Sequence, residues 1–185
     1  MTEYYLDVET EGTDPARDKI ISIQFQSLID GNPQGEFHVL TEWEFGEKEV
    51  VRMILERQVL DAGWDFVPIG NRLKFDLAFL IERSQKHGLI QWGTAELKHY
   101  FFAKPMIDLG PMLVLMNAGK FQGSSIMNFT GKSRPSAEVP VLYHQGRYKE
   151  IIEYVERERE VTIALYRELR ALLTPFGSRK KLEKS

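Results

Sequence analysis

The chain has 185 residues, 43% hydrophobic and 28% charged, with a net charge of −3, which suits one globular domain with a full core. It has no cysteine, which excludes a disulfide framework and a thiolate metal site, and no apolar run long enough to span a bilayer. A pI near 5.9 argues against a basic platform that coats duplex DNA; the N-terminus opens straight into a strand pattern with no signal peptide, so a cytoplasmic protein is expected.

Residues 3–9, 19–28 and 35–41 read as strands, with a turn at Asp14-Pro15 and a hairpin at Asp30-Gly31-Asn32-Pro33. Residues 46–62 read as a helix whose apolar side is Val50, Val51, Ile54, Leu55 and Val59. Phe66 to Ile69 form a short buried strand ended by Gly70, and 75–87 a helix through Leu77, Phe79, Leu80 and Ile81. A short strand follows at 105–108, then a helix at 109–117 and another between Gly123 and Lys132, before the loop Ser133-Arg134-Pro135-Ser136. Residues 147–173 are expected to be helical, with a break near 156 left open. The domain is expected to occupy 1–176, and the polar, basic tail 177–185 to be disordered. Three consecutive strands followed by alternating helices and strands predict a mixed α/β sheet.

Acidic residues in apolar surroundings carry the functional signal. Asp7 and Glu9 interrupt the run Tyr4-Tyr5-Leu6-Asp7-Val8-Glu9-Thr10, and Asp76 closes Gly70-Asn71-Arg72-Leu73-Lys74-Phe75-Asp76. An unpaired buried charge is costly, so acids at such places suggest a site for divalent cations; magnesium and manganese are hard ions that favour oxygen ligands. Residues two apart on a strand share a face, so Asp7 and Glu9 project together. On the last helix, at about 100° per residue, Ile151, Val155, Thr162, Leu165, Leu169 and Leu172 form one stripe, and Glu158 falls within it. Glu153, Glu156 and Glu160 lie roughly 140–200° from Ile151. Tyr154, four residues before Glu158, shares its face.

The order Asp-x-Glu, Asn-x-x-x-Phe-Asp, Tyr-x-x-x-acid resembles the three exonuclease motifs of the DEDD superfamily, with the tyrosine of its DEDDy branch. The chain looks most like the 3′–5′ proofreading exonuclease domain of family B DNA polymerases, over roughly residues 3–173. Lys19 to Gln24, Met106 to Leu109, and Gly146-Arg147-Tyr148 with Ile151 to Tyr154 resemble further segments of those domains. One departure stands out: the family has aspartate in the third motif where this chain has Glu158. The resemblance implies an RNase H-like fold, a mixed five-stranded sheet with helices on both faces. In it the second strand is antiparallel to the rest, and the first and fourth lie side by side. It implies two divalent cations, Mg2+ or Mn2+, held by Asp7, Glu9, Asp76 and Glu158, with Asp7 bridging both ions. Glu9 and Glu158 would hold the ion that activates water, Asp76 would serve the second, and Tyr154 would orient the attacking water. Thr10, Asn71 and Phe75 would contact nucleic acid, and Lys132 in the loop before the last helix would hold a phosphate.

Each motif also has an ordinary reading. Asp-x-Glu occurs at exposed strand ends, Asn71 and Asp76 suit a turn and a helix cap, and Lys132 with Arg134 suits a solvated loop. The histidines, His38, His87, His99 and His144, sit at no DEDDh position and share no helical turn, which argues against zinc. Asp108 reads as structural. The expected activity is 3′–5′ hydrolysis at a single-stranded DNA or RNA 3′ end, DNA foremost, in a repair setting. The alternative is a non-catalytic RNase H-like module that binds nucleic acid or a protein partner; a membrane partner is not expected.

Overall fold

The computed structural model describes residues 2–130 and 136–182. Strand β1 spans Glu3–Thr10, β2 Ile20–Ile29, β3 Asn32–Thr41, β4 Val67–Gly70 and β5 Ile107–Asp108. They form one five-stranded sheet in the order β3-β2-β1-β4-β5. Strand β2 runs antiparallel to β1 and β3, whereas β1, β4 and β5 are mutually parallel. The expected mixed α/β sheet, with its second strand reversed and its first and fourth adjacent, is the sheet observed. The β2–β3 connection is the two-residue turn Asp30-Gly31, both at positive φ (52° and 78°), the conformation that matches the twist of a tight hairpin.

Helices α1 (Glu42–Phe45), α2 (Glu47–Leu55), α3 (Leu73–Lys86), α4 (Thr94–Ala103), α5 (Leu109–Met116), α6 (Ile126–Thr130), α7 (Val139–His144) and α8 (Tyr148–Leu182) complete the described fold. They cover both faces because β1 is apolar on both. Leu6 and Val8 pack with Ile23, Phe25, α2 and α3 on one side, where Leu73, Leu77 and Leu80 are fully buried. Tyr5 points the other way, into a cluster with Ile69, Leu109, Leu113, Ile126 and Ile163. A third cluster joins Ile21 to Val139, Leu142, Ile151, Tyr154 and Val155, so α7 clamps the first turns of α8 to the sheet. Helices α2 and α3 are tied by a buried ion network. Glu47 accepts from Arg83 Nε and Nη2 at 2.6 Å each, from the Ile20 backbone N–H at 2.8 Å, and contacts His87 Nε2 at 2.8 Å. Burial pushes this carboxyl up, but those hydrogen bonds outweigh it and hold the group below the usual carboxylate range.

The structure adds to or departs from the expected elements in four places. Helix α2 stops at Leu55 instead of reaching 62. Arg57 and Gln58 donate three residues back, to Ile54 and Leu55, and Gln58 adopts φ 61°, so Val59 and Leu60 reach the core from a turn. Helices α1, α4 and α7 lie in segments to which the sequence assigned no element; α4 buries only Tyr100 and so shows little apolar periodicity. Helix α8 has no break at 156. It also runs through 177–182 of the tail expected to be disordered: Arg179, Lys180, Lys181 and Leu182 are good helix formers, and Pro175 withholds one backbone hydrogen bond without ending the helix. Residues 183–185 lie outside the described residues. Among the described residues no helix is long and apolar enough to cross a membrane.

Candidate metal centre and nucleic-acid groove

Strand β1 outruns its neighbour. Its pairing with β4 ends at Tyr5↔Ile69, so Asp7 and Glu9 project beyond β4, where α3 begins. Gly70 allows this junction: a Cβ there would lie 2.5 Å from the Leu6 carbonyl oxygen, a separation that atoms do not tolerate. The Val8 backbone N–H, with no strand beside it on that edge, donates to the Asp76 carboxylate in the first turn of α3. Helix α8 crosses the same face and brings Glu158 in. Asp7, Glu9 and Glu158 each offer an oxygen within 4.8 Å of the others. Thus a strand, a helix start and a long helix bring four carboxylates together.

They line one groove of about 610 Å³ with Thr10, Asn71 and Phe75. Asp76 is 3% exposed and its Oδ2 has no hydrogen-bond partner. Burial, then the charges of Asp7, Glu158 and Asp108, push its carboxyl well above the usual range, against the lowering effect of the Val8 N–H. An orphaned carboxylate oxygen beside three more carboxylates fits hard divalent cations, which neutralise such charge and accept all-oxygen ligation. The cluster contains no histidine, which disfavours softer metals.

The remaining candidate residues fall in three groups. Phe75 lines the groove, 37% exposed and tilted against Phe79 at 4.8 Å. Asn71 lines it too, its Oδ1 without a partner, and Thr10 lines it while donating to the Gly12 carbonyl at 2.6 Å. Tyr154 stands apart: it is 6% exposed, packs with Ile151 and Val155, and does not line the groove. Its hydroxyl donates to Glu158, and burial followed by the charges of Glu9 and Glu158 raises its pKa; it reaches the site through Glu158. Lys132 lies outside the described residues, as does Arg134. Asp108 is structural as expected, its Oδ1 accepting from the backbone N–H groups of Arg72 at 2.8 Å and Gly110 at 2.9 Å.

Two contributors escaped the sequence reading. The Tyr5 hydroxyl is buried without a partner, and burial, then Asp7, Glu158, Glu9 and Asp76, raise its pKa. Its position two residues before Asp7, on the same strand face, was the available signal. Gly12 also lines the groove, and a Cβ there would meet Asp18 Oδ2 at 2.1 Å, so a larger residue would push the Asp18 carboxylate off the Asp14 backbone N–H from which it accepts.

The inward stripe of α8 ends earlier than expected. Ile151, Val155, Glu158, Thr162 and Leu165 are buried, whereas Leu172 is 67% exposed because α8 runs past the sheet. Glu153, Glu156 and Glu160 are exposed. Glu160→Ala is therefore expected to leave stability within about 0.5 kcal/mol of the parent, measured by urea unfolding. Glu158→Ala is expected to weaken manganese binding at least about tenfold by calorimetry, because it removes one of the converging oxygens. Equal manganese affinity in the two variants would remove Glu158 from the site.

Fold and groove together define an α/β protein with a mixed five-stranded sheet and a carboxylate-lined groove at the sheet's end. No protein-family model and no curated protein sequence matches the chain. Solved structures do share its fold. Escherichia coli exonuclease I, in complex with a dT13 oligonucleotide, superposes with a TM-score of 0.59 at 14% identity, over 96% of this chain and 43% of that one. The family B DNA polymerase of the hyperthermophilic archaeon Pyrobaculum calidifontis superposes with a TM-score of 0.63 at 15% identity, over 91% of this chain and 24% of that one. The chain thus spans less than half the length of either, and at such identities the likeness is one of fold.

Proposed function

We propose that this chain is a metal-dependent 3′–5′ exonuclease of DEDDy type, hydrolysing phosphodiester bonds at single-stranded 3′ ends, with DNA as the expected polymer. The observation that carries this reading is the convergence of Asp7, Glu9 and Glu158 within 4.8 Å, beside the unpartnered oxygen of Asp76. Fold likeness to an exonuclease I solved with an oligonucleotide supports it. Asp7, Glu9, Asp76 and Glu158 would hold the divalent cations, magnesium or manganese. Such ions, when bound, supply an activated water and neutralise charge developing on the phosphoryl oxygens.

The chain's own groups bind and orient. Phe75 offers a partly exposed ring for stacking a terminal base, a contact that tolerates any sequence because every base has a π-face. Asn71 and Thr10 present polar atoms to the sugar and phosphate. Tyr154 donates its hydroxyl to Glu158 and so fixes the orientation of that carboxylate; orientation by a second group typically changes metal affinity or activity 10–100-fold.

A second reading has one observation in its favour. Tyr154 is held on Glu158 and does not line the groove, which suits a non-catalytic nucleic-acid-binding module. The two are separated by following single strands labelled at either end, with manganese and with EDTA. The exonuclease reading expects metal-dependent release of the 3′ label first, a descending ladder from the 5′ label, and indifference to base identity. Degradation that persists in EDTA or begins at the 5′ end overturns it. Binding without degradation establishes the module instead.

A further inference from the structure

Beyond Phe75 the groove continues into a second concavity of about 400 Å³ that shares Arg72 and Phe75 with the first and adds Lys74, Val114 and Phe121. The charge reverses along this path. The first part gathers four carboxylates. The second holds two cationic side chains and one carboxylate, Asp108, whose Oδ1 already accepts two backbone N–H groups. Phe121 is 74% exposed, and the Arg72 guanidinium lies 5.8 Å from its ring centroid. The turn that carries it is pinned: Asn117 Nδ2 donates to the carbonyls of Lys120 at 2.7 Å and Gln122 at 2.9 Å, and Ser124 Oγ to that of Phe121 at 2.6 Å. An exposed aromatic ring on a pinned turn loses little freedom when a planar group stacks on it.

We propose that Phe121 is a stacking platform for a base upstream of the 3′ nucleotide, with Arg72 and Lys74 contacting the phosphates of that segment. The proposal rests on the exonuclease reading above and extends it to the path of the strand. The reversal of charge is what such a path needs. A phosphate at the carboxylate cluster is met by bound cations, whereas upstream phosphates have only protein cations to meet them. Aromatic rings beside a basic groove are the general means of holding single strands without regard to sequence.

The test is the length dependence of binding. Fluorescence anisotropy would follow oligothymidylates of two to eight nucleotides, with calcium in place of magnesium to prevent turnover. In the parent protein affinity is expected to rise with length. Phe121→Ala is expected to weaken binding of the longest strand about fivefold or more while binding of the dinucleotide changes little, and Phe121→Trp to restore it. The ring is exposed, so its loss does not open the core, and unchanged melting would verify this. Lys74→Ala is expected to reduce the slope of log affinity against log salt by about 0.7, one phosphate contact on a single strand. If the parent degrades oligothymidylate with manganese but Phe121→Ala keeps the full rise with length, the platform is overturned and the exonuclease reading stands. If the parent neither degrades nor binds these strands, both fall.

Discussion

Asp7→Ala is expected to abolish metal-dependent degradation and most of the stabilisation that manganese confers. Asp7 is central in the cluster: it lies on β1 between the buried Tyr5 and Glu9, shares the 4.8 Å cluster with Glu9 and Glu158, and its charge acts on Asp76. Losing one electrostatic stabiliser in a preorganised site typically costs about 10²–10³ in rate, and more is expected where neighbouring ligands depend on it. A ligand that binds only the native state adds about 2.7 kcal/mol at a hundred times its dissociation constant, and 1 kcal/mol shifts melting by about 2–4 °C in a domain of this size. Manganese should therefore raise the parent's melting temperature by roughly 5–10 °C and leave Asp7→Ala nearly unmoved. Equal shifts in both proteins would place the ions elsewhere.

The opposite trade is expected at Asp76. Asp76→Asn should stabilise the metal-free protein while removing activity. Burial, then Asp7, Glu158 and Asp108, raise the folded pKa of this carboxyl, so the folded state holds its proton more tightly than the unfolded chain does. Stability of the metal-free protein must then fall as pH rises from the unfolded value, about 3.9, through the higher folded one. Above the unfolded value the buried carboxyl is therefore a net burden on the fold, and an unsatisfied buried group costs about 1–3 kcal/mol. Asparagine keeps the acceptor for the Val8 N–H and turns an amide N–H toward the neighbouring carboxylates. Urea unfolding in EDTA across the acidic range would show the variant gaining on the parent as pH rises. A variant less stable than the parent at every pH would show that Asp76 is held by contacts other than those that raise its pKa.

These two substitutions separate what the acids do for chemistry from what they do to the fold, and the contrast bears on Glu158. The longer side chain in the third motif does not keep its carboxylate out of the cluster, since its oxygen meets those of Asp7 and Glu9. Its position is set by α8, clamped by α7 through Val139 and Leu142 against Ile151 and Val155, and by the hydroxyl of Tyr154.

What depends on short-range periodicity was legible in the chain alone. Period two placed Asp7 and Glu9 on one strand face, and period 3.6 separated the inward Glu158 from the exposed Glu153, Glu156 and Glu160. Asp30-Gly31 marked the hairpin because both residues adopt positive φ readily. Strand order, read through a family likeness, also came out as expected. Tertiary structure decided whatever depends on how far one element lies from another. Only the offset between β1 and β4 frees the Val8 N–H for Asp76, only packing turns Tyr154 onto Glu158 and away from the groove, and only the fold brings Phe121 beside Arg72 across about fifty residues of chain. Helix ends were likewise beyond reach. The end of α2 at Leu55 turns on a positive φ at Gln58, and α4 lies largely on the surface, where little periodicity reports its presence. Periodicity is written into neighbouring residues, but the distance between two faces is set by the side chains packed between them, and those come from all along the chain.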